Sequence, residues 1–192
     1  MNSICVFCGS NFGESEEYKN TAEKLGEFLG EKNTTLIYGG GKVGLMGSVA
    51  NSALQAGGNV VGIIPEFLRD KEIAHQGLTD LIVVDSMHSR KQKMSELADG
   101  FIVLPGGYGT YEEMFEVLSW GQIGIHKKPV GLINVDGFFD PLLKMLQHTV
   151  DKGFARPENL NLILSSTNIE ELFAQMKDYN HVVVNKWVDK KA

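Results

Sequence analysis

Cysteine is scarce in this sequence: among 192 residues there are two, Cys5 and Cys8, too few for a disulfide framework. Proline is also scarce, at 5 residues. No uninterrupted apolar run reaches the roughly 18 residues a membrane-spanning helix needs. The opening residues Met1-Asn2-Ser3-Ile4-Cys5 carry neither a basic segment nor a long apolar stretch, so no secretory signal is read there and a cytoplasmic location is expected. Basic residues are the minority, 18 Lys and Arg against 24 Asp and Glu, for a net charge of −6. That balance argues against a broad cationic footprint for nucleic acid or an anionic membrane, and leaves room for a local cationic pocket. The five histidines, His75, His88, His126, His148 and His181, show no H-E-x-x-H or other ligand spacing, so neither a metal site nor a metal cofactor is expected. There is no internal repeat and no low-complexity segment.

What is present fits one globular domain, with 43% apolar and 22% charged residues. Short apolar runs alternate with segments of helical period, the pattern of βα units around a mostly parallel sheet with helices on both faces. Strands are predicted at Ile4–Cys8, Leu36–Tyr38, Val60–Ile64, Leu81–Val84, Phe101–Leu104 and Val130–Asn134. Helices are predicted at Glu16–Leu29, Leu45–Ala56, Ser89–Ala98, Thr110–Ile123, Pro141–Val150 and Ile169–Met176, with a short apolar run at Leu160–Leu164. Residues 1–180 form the expected domain, and 181–192 a tail. The stretch Glu66–Gly77, charged and without period, is the other segment expected to be weakly ordered. Cys5 and Cys8 then fall in one strand three residues apart, on opposite faces and about 10 Å from each other. That separation exceeds disulfide reach, and two buried thiols are expected instead.

In open parallel sheets, ligands bind beyond the carboxyl ends of the strands, which directs attention to the glycine-bearing loops. The first, Gly39-Gly40-Gly41-Lys42-Val43-Gly44-Leu45-Met46-Gly47, matches G-x-G-x-x-G. It follows the second strand, however, where a dinucleotide fingerprint follows the first, and the acidic residue about 20 residues on, Glu66, stands beyond Pro65. Two readings remain, a turn that lets strand and helix pack closely and an approach path for a phosphorylated ligand. The second loop, Pro105-Gly106-Gly107-Tyr108-Gly109-Thr110-Tyr111-Glu112-Glu113, joins a strand to a helix. Its glycines let backbone N–H groups converge next to the positive end of a helix dipole, a nest for phosphate, with the Thr110 hydroxyl as a further donor or as the helix cap.

Glu112, Glu113 and Glu116 crowd the start of that helix. Carboxylates are favoured there by the dipole, but Glu112 and Glu116 form a like-charge i,i+4 pair, so three acids exceed what capping requires. A chemical role for one of them, orienting water or stabilising positive charge on a sugar, competes with plain surface charge. The opposite anomaly stands at Ser89-Arg90-Lys91-Gln92-Lys93: Ser89 with Gln92 resembles a capping box, and three cations follow in a first turn where the dipole disfavours them. An anion held between this helix end and the Pro105 loop would account for them; a solvated charged face is the alternative.

These motifs together resemble the LOG family, cytokinin riboside 5'-monophosphate phosphoribohydrolases, some of which were formerly labelled possible lysine decarboxylases. The residues that carry the resemblance are G-G-G-x-x-G-L-M-G at Gly39–Gly47, M-H-x-R-K at Met87–Lys91, P-G-G-x-G-T-x-x-E at Pro105–Glu113, and the stretch Trp120–Leu132. The resemblance implies a Rossmann-like fold, a homodimer with its active site near the subunit interface, and no cofactor. The implied reaction is hydrolysis of the N-glycosidic bond of a purine nucleoside 5'-monophosphate to free base and ribose 5-phosphate. Matched residue by residue, Arg90 and Glu113 would be the catalytic pair and Lys91 a substrate contact. Gly106, Gly107, Tyr108, Gly109, Thr110, Tyr111 and Glu112 would lie at the phosphate. Glu72 and Ser119 are further carry-overs; the segment around Glu72 departs from the family's Pro-Arg-Glu-Leu pattern, and Ser119 stands where the family often has Thr. Three other readings compete: a nucleotide sensor without chemistry, a dinucleotide-dependent oxidoreductase suggested by Gly39, Gly41 and Gly44, and the decarboxylase label, for which no lysine is placed.

Overall fold

The computed structural model describes residues 1–69 and 74–182. Glu72, and most of the expected tail 181–192, lie outside the described residues. The chain runs β1 (Ser3–Phe7), α1 (Glu16–Glu31), β2 (Thr35–Tyr38), α2 (Gly44–Gln55), β3 (Val60–Pro65), α3 (Glu66–Arg69), β4 (Asp80–Val84), α4 (Met87–Leu97), β5 (Gly100–Val103), α5 (Tyr108–Gln122), β6 (Val130–Ile133), α6 (Asp140–Asp151), β7 (Ile163–Ser166) and α7 (Ile169–Lys177). All strand pairs are parallel, in the order β4-β3-β2-β1-β5-β6-β7. The expected doubly wound α/β architecture is what forms.

The central strands are apolar on both faces because helices cover both. In β1 the alternation is plain. Ile4, Val6 and Cys8 pack with Leu25 and Leu29 of α1, Val49 and Ala53 of α2 and Leu172 of α7. Cys5 and Phe7 face Met94 of α4, Met114 of α5 and Phe139 just before α6. Cys5 and Cys8 are therefore buried thiols in different layers, as their spacing implies. Burial first, and the Glu113 carboxylate second, push both thiols well above their ordinary pKa, which removes them as nucleophiles.

Two helix starts differ from expectation. Helix α4 begins at Met87, capped by Ser86, whose Oγ accepts from Ser89 N–H at 3.1 Å, an interaction worth about 1 kcal/mol. Ser89 is thus inside the helix, its hydroxyl donating to Asp85, and Arg90, Lys91 and Lys93 fall beyond the first three helical residues. Helix α5 begins at Tyr108 with Gly107 as its cap residue, so Thr110 is not the cap. Inside the stretch expected to be weakly ordered, α3 forms and Ala74 makes an antiparallel bridge with Gly41. The third strand ends at Pro65, which is the last residue of β3 and pairs in register with Val84.

Candidate functional site

The strand order reverses between β1 and β5, since β1 leads to β2 on one side while β5 leads to β6 on the other. Chains leaving adjacent strand ends in opposite directions open a crevice there. Main-chain hydrogen bonds fix its floor: Leu104 N–H donates to Phe7 O at 2.9 Å, and Gly9 N–H to Pro105 O at 3.0 Å. The cleft above this floor has a volume of about 410 Å³, within the ordinary range for small-molecule sites. Two larger grooves, about 830 and 780 Å³, flank α1 and carry lysines and glutamates together. The smaller cleft differs by bringing one buried cation, two carboxylates and a bare glycine turn to the end of the sheet.

Arg90 is the cation. Its side chain is 4% exposed, among the most buried charged groups of the described residues. Nη2 donates to Gly39 O at 2.9 Å, and Nη1 approaches Met87 Sδ at 3.8 Å. Helical spacing at i, i+3 and i+7 puts Met87, Arg90 and Met94 on one face of α4, and all three line the cleft. The close approach to Gly39 requires that residue to be glycine, because a Cβ there would lie 2.1 Å from Arg90 Nη2.

Across the cleft, Gly107, Tyr108, Gly109, Thr110, Glu112 and Glu113 form the opposite wall. A Cβ added at Gly107 or Gly109 would meet no protein atom within 4 Å, so this turn presents bare backbone N–H groups of a helix N-terminus to the cleft. Thr110, 5% exposed, is folded against Gly106, where a Cβ would stand 2.2 Å from its Oγ1. Tyr108 is 95% exposed at the mouth.

The remaining sequence-derived residues are placed elsewhere. Lys91 Nζ donates to Glu112 Oε1 at 2.5 Å and to Glu116 Oε1 at 3.0 Å. Burial disfavours the ammonium, but the bonds from Glu112 and Glu116 outweigh it and hold the pKa above the ordinary lysine value. The like-charge pair read from the sequence is thus bridged by a cation from the neighbouring helix. Tyr111 stacks on Phe138 at 6.5 Å between ring centroids. Ser119 lines a separate apolar groove between α5 and α6, with Phe115, Leu118, Leu146 and Val150. Gly40 and Gly41 belong to the turn under Arg90, and Gly44 and Gly47 border the groove between α1 and α2. Ser10, in the glycine-bearing loop Cys8-Gly9-Ser10 that the sequence also points to beyond the first strand, and Met46 of the first glycine turn line the cleft as well, whereas sequence reasoning missed Leu68 and Met94; the i, i+3, i+7 spacing of Met87, Arg90 and Met94 was the signal that could have found Met94. Among the described residues there is no cluster of His, Cys, Asp and Glu able to hold a metal ion, and no helix long and apolar enough to cross a membrane.

Comparisons with known proteins place the chain in a family and a fold. The family described as "Possible lysine decarboxylase" matches residues 46–176. A cytokinin riboside 5'-monophosphate phosphoribohydrolase of Arabidopsis thaliana is 46% identical over 179 residues, spanning 93% of this chain and 78% of its own. One from Oryza sativa subsp. japonica is 44% identical over 176 residues, spanning 92% and 73%. Among solved structures, the molybdenum cofactor binding protein of Rippkaea orientalis aligns with a TM-score of 0.68 at 22% identity, covering 92% of this chain and 95% of its own. The Moco carrier protein of Chlamydomonas reinhardtii aligns at 0.69 and 21%, covering 92% and 95%. At such identities these two structures show a shared fold alone.

Proposed function

The chain belongs to the LOG family of phosphoribohydrolases, and from that premise we propose that it hydrolyses the N-glycosidic bond of a purine nucleoside 5'-monophosphate, adenine or N6-modified adenine, at the cleft between β1 and β5. The single observation that carries this assignment is the convergence of Arg90, Glu113 and the open Gly107–Thr110 turn on one cleft. The 5'-phosphate sits at the bare N–H groups of that turn and fixes the ribose. As the bond from C1' to the base nitrogen breaks, C1' gains positive character, which the Glu113 carboxylate stabilises while orienting water on C1'. The water oxygen bonds to C1', the base leaves with a proton, and ribose 5-phosphate remains. Arg90, rigidly held by Gly39 O, fixes the substrate and supports charge on the departing base.

Lysine decarboxylation does not suit the cleft. A lysine that forms a Schiff base needs a depressed pKa, whereas Lys91 is held charged by Glu112 and Glu116, and no lysine lines the cleft among the described residues. The decisive experiment incubates the protein with AMP and with N6-isopentenyl-AMP and follows free base and ribose 5-phosphate by chromatography. Release from either, abolished in Glu113→Gln, supports the hydrolase; saturable AMP binding without release favours a nucleotide sensor instead.

The same reading includes a homodimer. The apolar groove of α5 and α6, with Ile125 at 65% and Phe154 at 88% exposure in the segments that follow those two helices, is the face we assign to a second copy. Ser119 lies in it, about 9 Å of helix rise beyond Glu113 on α5. Leu118→Asp is expected to convert a dimer to a monomer in light scattering coupled to size exclusion.

A further inference from the structure

His75 is 6% exposed and belongs to none of the motifs above. Its ring is held at both nitrogens. Gly77 N–H donates to Nδ1 at 3.0 Å, so that nitrogen carries the lone pair. The proton therefore sits on Nε2, which donates to Asn51 Oδ1 on α2 at 2.9 Å. The main chain of the same residue reaches the first glycine turn, His75 N–H donating to Gly40 O at 2.9 Å, next to the antiparallel bridge between Ala74 and Gly41. Gly40 is in the left-handed region, at φ +78, and its Cα lies against Gly62, so the turn has one conformation to be held in. The neighbouring carbonyl, Gly39 O, is the one that receives Arg90 Nη2.

We propose that His75 is a positioning residue for Arg90: its neutral ring ties residues 75–77 to α2, the main chain of residues 74 and 75 thereby fixed holds the Gly39–Gly41 turn, and that turn aims the guanidinium into the cleft. Protonating Nδ1 would set an N–H against the Gly77 N–H and break the tie. Burial first, and the Lys42 ammonium second, hold the imidazole below its ordinary pKa of 6.5. Lys42, on the glycine turn, is the charged group acting on the ring among the described residues; the facing group on α2, Asn51, is neutral. The neutral form is complete above about pH 6.5 and is lost as the pH falls through the lowered value.

The inference rests on the reading of Arg90 as part of the hydrolytic site, and the test separates the two. With AMP as substrate, His75→Ala is expected to lower kcat by about tenfold to a hundredfold, the penalty of a small misplacement, with KM within about threefold because the phosphate turn is untouched. His75→Asn, whose Oδ1 can accept from Gly77 N–H, is expected to recover part of the loss. Asn51→Asp keeps the acceptor and adds a negative charge that favours the imidazolium, and should move the acidic limb of kcat up by about one pH unit. His126 serves as control, since its ring makes the same pair of bonds, from Lys128 N–H at 3.1 Å and to Val117 O at 2.8 Å, beside the far end of α5. His126→Ala should lower the melting temperature and leave kcat within about twofold.

Full kcat in His75→Ala alongside a crippled Arg90→Ala would overturn the proposal and leave the hydrolase standing. An equal loss of kcat in His126→Ala would overturn it as well, by reducing the effect to general destabilisation. If the wild type releases no base from any nucleotide, the hydrolase reading fails. The anchoring is then judged from the Arg90 guanidinium resonances in nitrogen-detected NMR: a shift in His75→Ala supports it, and unchanged signals refute it.

Discussion

The two glycine-rich turns have similar compositions, several glycines in a short run between a strand and a helix, yet their missing side chains are used in opposite ways. In the turn at residues 39–47, a Cβ would fall 2.1 Å from Arg90 Nη2 at Gly39, 2.2 Å from the backbone of Ser10 at Gly44 and 1.9 Å from Lys42 O at Gly47. Protein occupies the space those glycines leave. In the turn at residues 105–110 the inner position, Gly106, is packed in the same way, but Gly107 and Gly109 face open space. A glycine fingerprint therefore marks close approach without saying what approaches. The first turn is filled by protein and receives an arginine; the second leaves main chain bare.

The comparison can be broken or sharpened by substitution. The largest effect is expected beside the open turn, at the carboxylate that follows it. Glu113→Gln should lower kcat by about a thousandfold, roughly 4 kcal/mol of transition-state stabilisation, with little change in melting temperature; steady-state base release measures it. Next comes Gly44→Ala in the packed turn, which combines φ +65 with a collision on Ser10. It should cost about 3 kcal/mol of stability in urea denaturation, and a neutral outcome would show that the first turn is not packed as described. Gly109→Ala should do the reverse, raising KM for AMP about tenfold, near 1.4 kcal/mol, while stability stays equal or rises by up to about 1 kcal/mol because Ala is the better helix former. If Gly109→Ala destabilised the fold and spared KM, the two turns would not differ in kind.

The smallest effect concerns the cation between the turns. Lys91→Met leaves Glu112 and Glu116 without their bridge and should cost about 1 kcal/mol at neutral pH. The sign of its pH dependence is fixed. A lysine whose pKa is raised above 10.5 on folding contributes stability fully below pH 10.5 and loses it as the pH climbs through the folded value. The variant should therefore lose part of the wild type's alkaline stability slope, which denaturation at pH 8 and pH 11 would detect.

Much of the fold was legible because its elements are locally specified. Strand cores such as Phe101-Ile102-Val103 and the stripe Ala22, Leu25 and Leu29 on α1 show their periods directly. The strand β7 was visible only as an apolar run, since its last two residues, Ser165 and Ser166, are polar and gain their place by pairing with Leu132 and Ile133. Helix starts were less legible: both Ser86 and Ser89 can cap, and only the turn geometry chose Ser86.

The sequence by itself determined the α/β class, the separation of Cys5 from Cys8, and the presence of an excess of acids and cations near two helix starts, because each follows from local period or local charge. Only the tertiary structure decided what those charges do. It buried Arg90 against Gly39 O, 51 residues away in the chain, and turned Lys91 to Glu112 and Glu116, 21 and 25 residues away. It also separated Ser119 from the cleft and recruited His75 beside the first glycine turn. Such contacts depend on which strands lie side by side and how helices cross them, and neighbours at long separation leave no period in the sequence to be read.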